Sequence, residues 1–195
     1  MTMNAKPTES LRLFFALWPD DATRTALMQL QTSLRGRLIP YLNIHLTLAF
    51  LGQQPVTILP AAKKIITHLR APSSTLILDR VGYFPRNRVA WVGTHTTPDA
   101  LISLSQELAL ALKEHDISCD MRQPFKPHIT LARDASPPPD FAFTPIEWHA
   151  SQIALVQSVT RPEGSVYEVL ASRSLDEACW VPDESGDEMS RQPAS

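Results

Sequence analysis

The chain has 195 residues, a formal net charge of −2, 44% hydrophobic and 19% charged residues, and only two cysteines, Cys119 and Cys179. Those values exclude a disulfide scaffold, a low-complexity disordered chain and a strongly basic nucleic-acid clamp, and they suit a globular body with a substantial core. The segment Met1 to Ser10 is polar and no apolar run approaches ~18 residues, so neither a secretory signal nor a membrane span is expected, and the expected location is cytoplasmic. The charge is uneven. Residues 176–195 hold six acids and one base, which leaves the rest of the chain at about +3. The expected organisation is a flexible N-terminus over 1–10, one bilobal domain over 11–176 and a disordered acidic tail over 181–195. A monomer is expected.

In chain order, Leu11 to Leu17 reads as a strand closed by Trp18-Pro19. Asp20 or Asp21 can cap a helix to about Arg35, with Leu27, Leu30 and Leu34 at helical spacing. A strand over about Ile44 to Leu51 ends at Gly52. A second helix covers roughly Thr57 to Leu69, with Ala62, Ile65, Ile66 and Leu69 on one face. A hairpin follows: Thr75 to Val81 and Val89 to Val92, joined by Tyr83-Phe84-Pro85-Arg86-Asn87-Arg88. A third helix runs from Pro98 to about His115, striped by Leu101, Leu104, Leu108 and Leu112, with Thr97 as its cap. A strand over about Pro127 to Ala132 precedes the exposed connection Pro137-Pro138-Pro139. Three late strands close the body, over Phe143 to Trp148, Gln152 to Ser158 and Ser165 to Ala171, with Arg161-Pro162-Glu163-Gly164 as the turn before the last. Helices alternating with pairs of strands predict a duplicated α+β fold: bilobal and pseudo-symmetric, with two antiparallel sheets facing across a cleft and helices outside.

Two of these strands carry nearly the same five residues. His45-Leu46-Thr47-Leu48-Ala49 recurs 83 positions later as His128-Ile129-Thr130-Leu131-Ala132. Alternate side chains of a strand share a face. His45 and Thr47 therefore face together while Leu46 and Leu48 enter the core, and His128 and Thr130 repeat the arrangement. A third H-x-T, His95-Thr96-Thr97, lacks the apolar alternation and reads as a helix lead-in.

Two histidines near neutrality can serve as general base and general acid, one taking a proton from an attacking water and the other giving one to a leaving oxygen. Two threonine hydroxyls can hold non-bridging oxygens. Phosphoryl transfer needs mainly alignment and charge stabilisation, and a strained cyclic phosphodiester suits such groups without a metal. The rival readings are metal ligation, for which neither motif supplies an acid on the same face, and a pair of hydrogen-bonded core histidines. Phe84 with Arg86 and Arg88 could stack a base and attract phosphates, or form a solvated loop. Tyr167 reads as core packing, with a cleft position as the alternative. His68 and His149 have no partner pattern, and His115 sits at a helix end that favours a cation.

The blocks L-R-L-F-F-A-L-W-P, H-L-T-L-A-F-L-G, F-K-P-H-I-T-L-A-R and S-V-T-R-P-E-G-S-V-Y-E-V-L occur in an order that resembles the 2H phosphoesterases, and within them the bacterial RNA 2′,3′-cyclic phosphodiesterases, also called 2′-5′ RNA ligase-like proteins. The resemblance runs from Leu11 to about Leu175. It implies His45 as proton donor to the leaving oxygen, His128 as proton acceptor activating water, Thr47 and Thr130 as phosphate holders, and Arg133 beside the phosphate. Phe50 stands at the position matching Arg133, so the cleft should be asymmetric in charge. The lead-in Tyr41-Leu42-Asn43-Ile44 departs from the commoner Pro-Glu-Asn-Leu-like form without touching a catalytic position. The implied reaction opens RNA 2′,3′-cyclic phosphate ends, on tRNA halves for example, to 2′-phosphates, with a reverse ATP-independent 2′-5′ joining, and with no cofactor or metal. The alternatives are a non-catalytic RNA-end-binding module and a phosphodiesterase acting on small cyclic nucleotides.

Overall fold

The structure is a computed structural model that describes residues 9–120, 125–162 and 164–175. The expected flexible start and acidic tail lie almost wholly outside the described residues. The chain forms β1 (Ser10–Leu17), α1 (Asp21–Gln31), β2 (Arg37–Leu38), a 3-10 turn (Tyr41–Asn43), β3 (Leu46–Pro55), α2 (Leu59–His68), β4 (Ser74–Leu78), β5 (Arg80–Phe84), β6 (Val89–Gly93), α3 (Asp99–Glu114), β7 (His128–Arg133), β8 (Ile146–Ala150), β9 (Gln152–Arg161) and β10 (Gly164–Ser174). The fold is mixed α+β, and every strand pairing is antiparallel.

The sheet order is β10-β9-β1-β3-β7-β6-β5, with β2 also on β7, and β4 and β8 form a separate pair. Between β3 and β7 the connection is one residue pair, Leu46 with Ile129. The duplication is therefore visible as two half-sheets whose strand pairing, among the described residues, meets at the motif strands. The helices cross between them. α1 follows β1 yet packs on β7 and β8, while α3 follows β6 yet packs on β3 and α2. One apolar core accordingly draws on both halves, joining Leu13, Phe15 and Leu17 of β1 to Leu27 and Leu30 of α1, Ile65 and Ile66 of α2, and Leu101, Leu104, Leu108 and Leu112 of α3.

β1 shows why its sequence is almost continuously apolar. It lies between β9 and β3 and is buried on both faces. Its other face, Phe14 and Ala16, joins Ala154 and Val156 in a small second cluster flanked by Trp18, Phe50 and Tyr167. No helix contributes to that cluster, which floors the cleft.

Several predicted boundaries move, each for a local reason. α1 starts as expected, with the Asp20 carboxylate accepting from the Thr23 amide at 2.7 Å. It ends at Gln31, not Arg35, because tighter three-residue turns follow (Leu34 amide to the Gln31 carbonyl), which still bury Leu34. Gly52 does not end β3. Its φ of +70° sits at a bulge where Leu13 pairs with Gly52 and Phe14 with Phe50, and the strand continues to Pro55. The run Thr75 to Val81 is two strands, broken at Asp79, whose amide bonds the Gly93 carbonyl and whose carboxylate accepts the His95 amide. β4 then leaves for β8 while β5 pairs with β6. Pro98, in an extended conformation, takes the cap position expected of Thr97. Among the late strands, β8 begins at Ile146 and β9 and β10 run longer than expected. The Arg173 guanidinium, on β10, donates to the Thr67 and Leu69 carbonyls and so closes the C-terminal end of α2.

Gly82 is required by close approach. A Cβ there would stand 2.1 Å from the Trp91 ring, on the paired strand. Gly82→Ala should therefore destabilise the fold by about 1–3 kcal/mol as the indole is forced aside. Urea unfolding checks this: the midpoint should drop with an unchanged slope, and an unmoved midpoint would show that the ring yields freely.

Candidate active site

The Leu46–Ile129 pair sets the geometry of the site. Both side chains are fully buried. In antiparallel register the flanking residues then alternate across the junction, with His45 beside Thr130 and Thr47 beside His128. The four predicted side chains are half-buried on the opposite face from Leu46 and Ile129.

The two histidines are held alike. Nδ1–H of His45 donates to the Asn43 carbonyl at 2.7 Å, and Nδ1–H of His128 donates to the Lys126 carbonyl at 2.7 Å. A carbonyl only accepts, so each bond fixes the proton on Nδ1 and leaves Nε2 as the atom for proton transfer. The Nε2 of His45 accepts from the Thr47 hydroxyl at 3.1 Å.

Their surroundings differ. The His45 ring lies 4.9 Å from Phe14, 5.2 Å edge-on to Tyr167 and 6.0 Å from a parallel Trp18. The His128 ring meets Phe84 at 5.1 Å and Trp91 at 6.1 Å. Burial pushes His45 down to about 4, with the Arg133, His128 and Arg24 charges adding to the effect and its carbonyl bond opposing it. Burial also lowers His128, helped by Arg133. Both shifts favour the neutral imidazole at pH 7.

A cavity of about 440 Å³ opens on the His45 side. Among its lining residues are His45, Thr47, Thr130 and Arg133, together with Arg12, Phe14, Arg37, Phe50 and Tyr167. His128 is not among them and stands at its margin against Phe84 and Trp91. Arg133 is exposed, and among the described residues no carboxylate pairs with it. Arg37, by contrast, pairs with Asp134 at 3.3 Å. Phe50 lines the cleft at the position that matches Arg133, with the Arg12 guanidinium over its ring.

The remaining histidines are occupied elsewhere. His95 pairs with Asp79 at 3.0 Å, His68 and His115 bond the carbonyls of Lys64 and Ala111, and His149 meets Thr75. Among the described residues no group of three or more His, Cys, Asp or Glu lies together as a metal site. Phe84 packs on Trp91 and His128 instead of standing free in a loop, and Tyr167 faces the cleft instead of the core.

Sequence reasoning missed Arg12, Phe14, Trp18 and Arg24. Arg12, Phe14 and Ala16 alternate on β1, a period-two signal hidden by the apolar residues between them. Arg24 gives no signal beyond a helical arginine. It is 4% exposed, stacked over Trp18 at 5.0 Å and Tyr41 at 5.6 Å, with Nε and Nη2 unpartnered. The stack Arg24–Trp18–His45 carries a buried cation to the back of the first histidine.

Two strand-borne His-x-Thr motifs at the centre of a duplicated α+β fold are the arrangement of the two-histidine phosphoesterases. The profile of the 2′-5′ RNA ligase superfamily matches residues 19–161, and the chain belongs to that superfamily. It is 34% identical over 180 residues to the RNA 2′,3′-cyclic phosphodiesterase of Thermus thermophilus, covering 85% of this chain and 90% of that protein. It is 36% identical over 160 residues to the enzyme of the same name from Escherichia coli, covering 75% of this chain and 90% of that protein. Its structure matches that of E. coli LigT in apo form with a TM-score of 0.75 at 30% identity, over 87% of this chain and 99% of LigT.

The depressed histidines make a prediction for stability. The unfolded chain binds protons at histidine near ~6.5, whereas folded His45 binds one only near 4. Between these values the unfolded state holds more protons, so stability should rise with pH from about 4 to 6.5 and be fully present above it. His45→Ala should flatten that rise in unfolding curves taken at successive pH values; an equally steep rise in the variant would place the titration elsewhere.

Proposed function

We propose that this chain is an RNA 2′,3′-cyclic phosphodiesterase that opens the cyclic phosphate at an RNA end to a 2′-phosphomonoester by acid/base catalysis between His45 and His128. The observation that carries it is the matched pair of carbonyl-fixed imidazoles on adjoining strands, next to two threonines and the exposed Arg133. The names of the Thermus and E. coli relatives support the substrate class.

The asymmetry of the cleft supports the assignment of roles. The leaving oxygen, O3′, carries a whole nucleoside, and the roomy aromatic side belongs to His45. The nucleophile is a water, which needs little space, and His128 is flanked by Phe84 and Trp91. Water attacks phosphorus and gives its proton to Nε2 of His128. The bond from phosphorus to O3′ breaks, and O3′ takes the proton from Nε2 of His45. Thr47, Thr130 and Arg133 hold the non-bridging oxygens, on which charge accumulates. Replacing the water by an RNA 5′-hydroxyl would make a 2′-5′ linkage by the same proton transfers. Both motifs come from one chain, which supports a monomer, and an RNA substrate is compatible with work in the cytoplasm.

His45 must be protonated to act, and its burial disfavours that at pH 7. The bound phosphate anion supplies the charge that raises it. The pH profile of kcat/KM should therefore be a bell centred below 6.5, and that of kcat should lie at higher pH. A profile flat from pH 5 to 9 would remove the two-histidine assignment.

The decisive experiment is hydrolysis of a short oligoribonucleotide ending in a 2′,3′-cyclic phosphate, with chelator present and the product phosphate identified. The wild type should yield a 2′-phosphate, and His45→Ala and His128→Ala should each lower the rate by about 10²–10⁴-fold. A wild type that binds the RNA end without turning it over, with binding kept when either histidine is lost, would favour an end-binding module; turnover of small cyclic nucleotides alone would favour the small-nucleotide reading. Arg133→Ala should cost about 10-fold or more, and Arg86→Ala, in the exposed turn after β5, almost nothing. Equal small losses would make Arg133 a solvated charge.

A further inference from the structure

The cleft holds more positive charge than one cyclic phosphate requires. Beyond Arg133, both Arg12 and Arg37 line it. Arg37 is engaged by Asp134, whereas Arg12 has no carboxylate partner among the described residues and its guanidinium lies 5.1 Å over the Phe50 ring. We propose that Arg12 forms a second phosphate subsite, which binds the phosphodiester on the 5′ side of the terminal nucleotide and makes the enzyme favour oligoribonucleotide ends over a free nucleoside 2′,3′-cyclic phosphate. This rests on the phosphodiesterase reading above.

Strand register locates the subsite. Ala16 of β1 lies opposite Thr47, and Arg12 lies opposite Gln53. Four residues of strand separate them, about 13 Å along β1. Arg12, Phe14 and Ala16 alternate on the same face, so the path from Thr47 to Arg12 crosses the Phe14 and Phe50 rings on the cleft floor. That path leads away from both motif histidines, along the half-sheet that carries His45.

Substrate chemistry then fixes what must lie there. In an RNA ending in a 2′,3′-cyclic phosphate, both O2′ and O3′ of the last ribose are committed to the ring. The rest of the strand attaches only through the 5′ oxygen. If the nucleoside occupies the His45 side, its 5′-phosphodiester projects further along the same floor, towards Arg12. A guanidinium is the group best matched to a phosphodiester's two free oxygens. The hydroxyl-bearing Ser158 also lines the cavity and can donate to a bound phosphate. A free nucleoside 2′,3′-cyclic phosphate has no phosphate to place there.

The test compares kcat/KM for a dinucleotide ending in a 2′,3′-cyclic phosphate with kcat/KM for adenosine 2′,3′-cyclic phosphate. The wild type should favour the dinucleotide, and Arg12→Gln should lower that preference about tenfold. The salt slope of log kcat/KM for the dinucleotide should become shallower by about 0.7, the value for one phosphate contact on a single strand. Arg12→Lys should keep most of the slope, since it keeps the charge. Equal losses on both substrates in Arg12→Gln would show that Arg12 merely props Phe50, and an unchanged preference would show a solvated side chain; either overturns the subsite. A wild type that hydrolyses both substrates equally well overturns the subsite alone. A wild type that hydrolyses neither removes the phosphodiesterase reading and the subsite with it.

Discussion

One residue pair holds the two halves of the sheet together at the point where chemistry is placed. Leu46 and Ile129 bury their side chains in the shared core and meet backbone to backbone. Strand alternation then leaves no choice for their neighbours: the histidines and threonines on either side turn to the opposite face. A slip of one residue in either strand would send an imidazole into the core and a leucine into the cleft. The hydrophobic pattern that anchors the junction is therefore also what brings the two motif histidines to the same face. The exchange of α1 and α3 between halves protects this alignment, because each half-sheet is covered by a helix that follows a strand of the other.

Around this symmetric centre the protein builds two unlike halves. Each imidazole is oriented by the carbonyl two residues before it, at the same distance. Beyond that first contact the surroundings diverge. His45 is enclosed by Phe14, Trp18 and Tyr167 with the Arg24 cation behind, so its charged form is disfavoured. His128 is flanked by two rings, and burial with one nearby arginine lowers it. Two copies of one motif can thus take opposite roles, because desolvation and neighbouring charge, not the motif, decide when each imidazole holds its proton. Arg24 illustrates the cost. A buried guanidinium with two unpartnered nitrogens is tolerated because two aromatic faces lie against it.

The repeated pentapeptide made His45, Thr47, His128 and Thr130 legible without any structure, since period-two alternation assigns faces locally. The helices were legible from their apolar stripes: Leu101, Leu104, Leu108 and Leu112 are all buried in α3. What failed were features decided by partners far away in sequence. The run from Thr75 to Val81 looks like one strand, yet it divides at Asp79 because β8 and β6 claim its two ends. Gly52 looks like a strand terminator, yet the pairing with β1 turns it into a bulge. Tyr167 and Phe84 were ambiguous alone, because nothing in their neighbourhoods says which ring system they will meet.

The sequence by itself determined the class of fold, the two motif strands, the faces of their side chains and the chemistry those side chains can perform. Tertiary structure decided how the two copies are joined, which histidine sits beside open space, and which residues from β1, α1 and β10 complete the cleft. The division has a simple physical origin. Alternation, helical spacing and capping act over a few residues and are written in consecutive letters. Burial, ring stacking and the charge felt by His45 depend on segments such as Arg24 and Tyr167, which strand pairing and helix packing bring together only once the chain has folded.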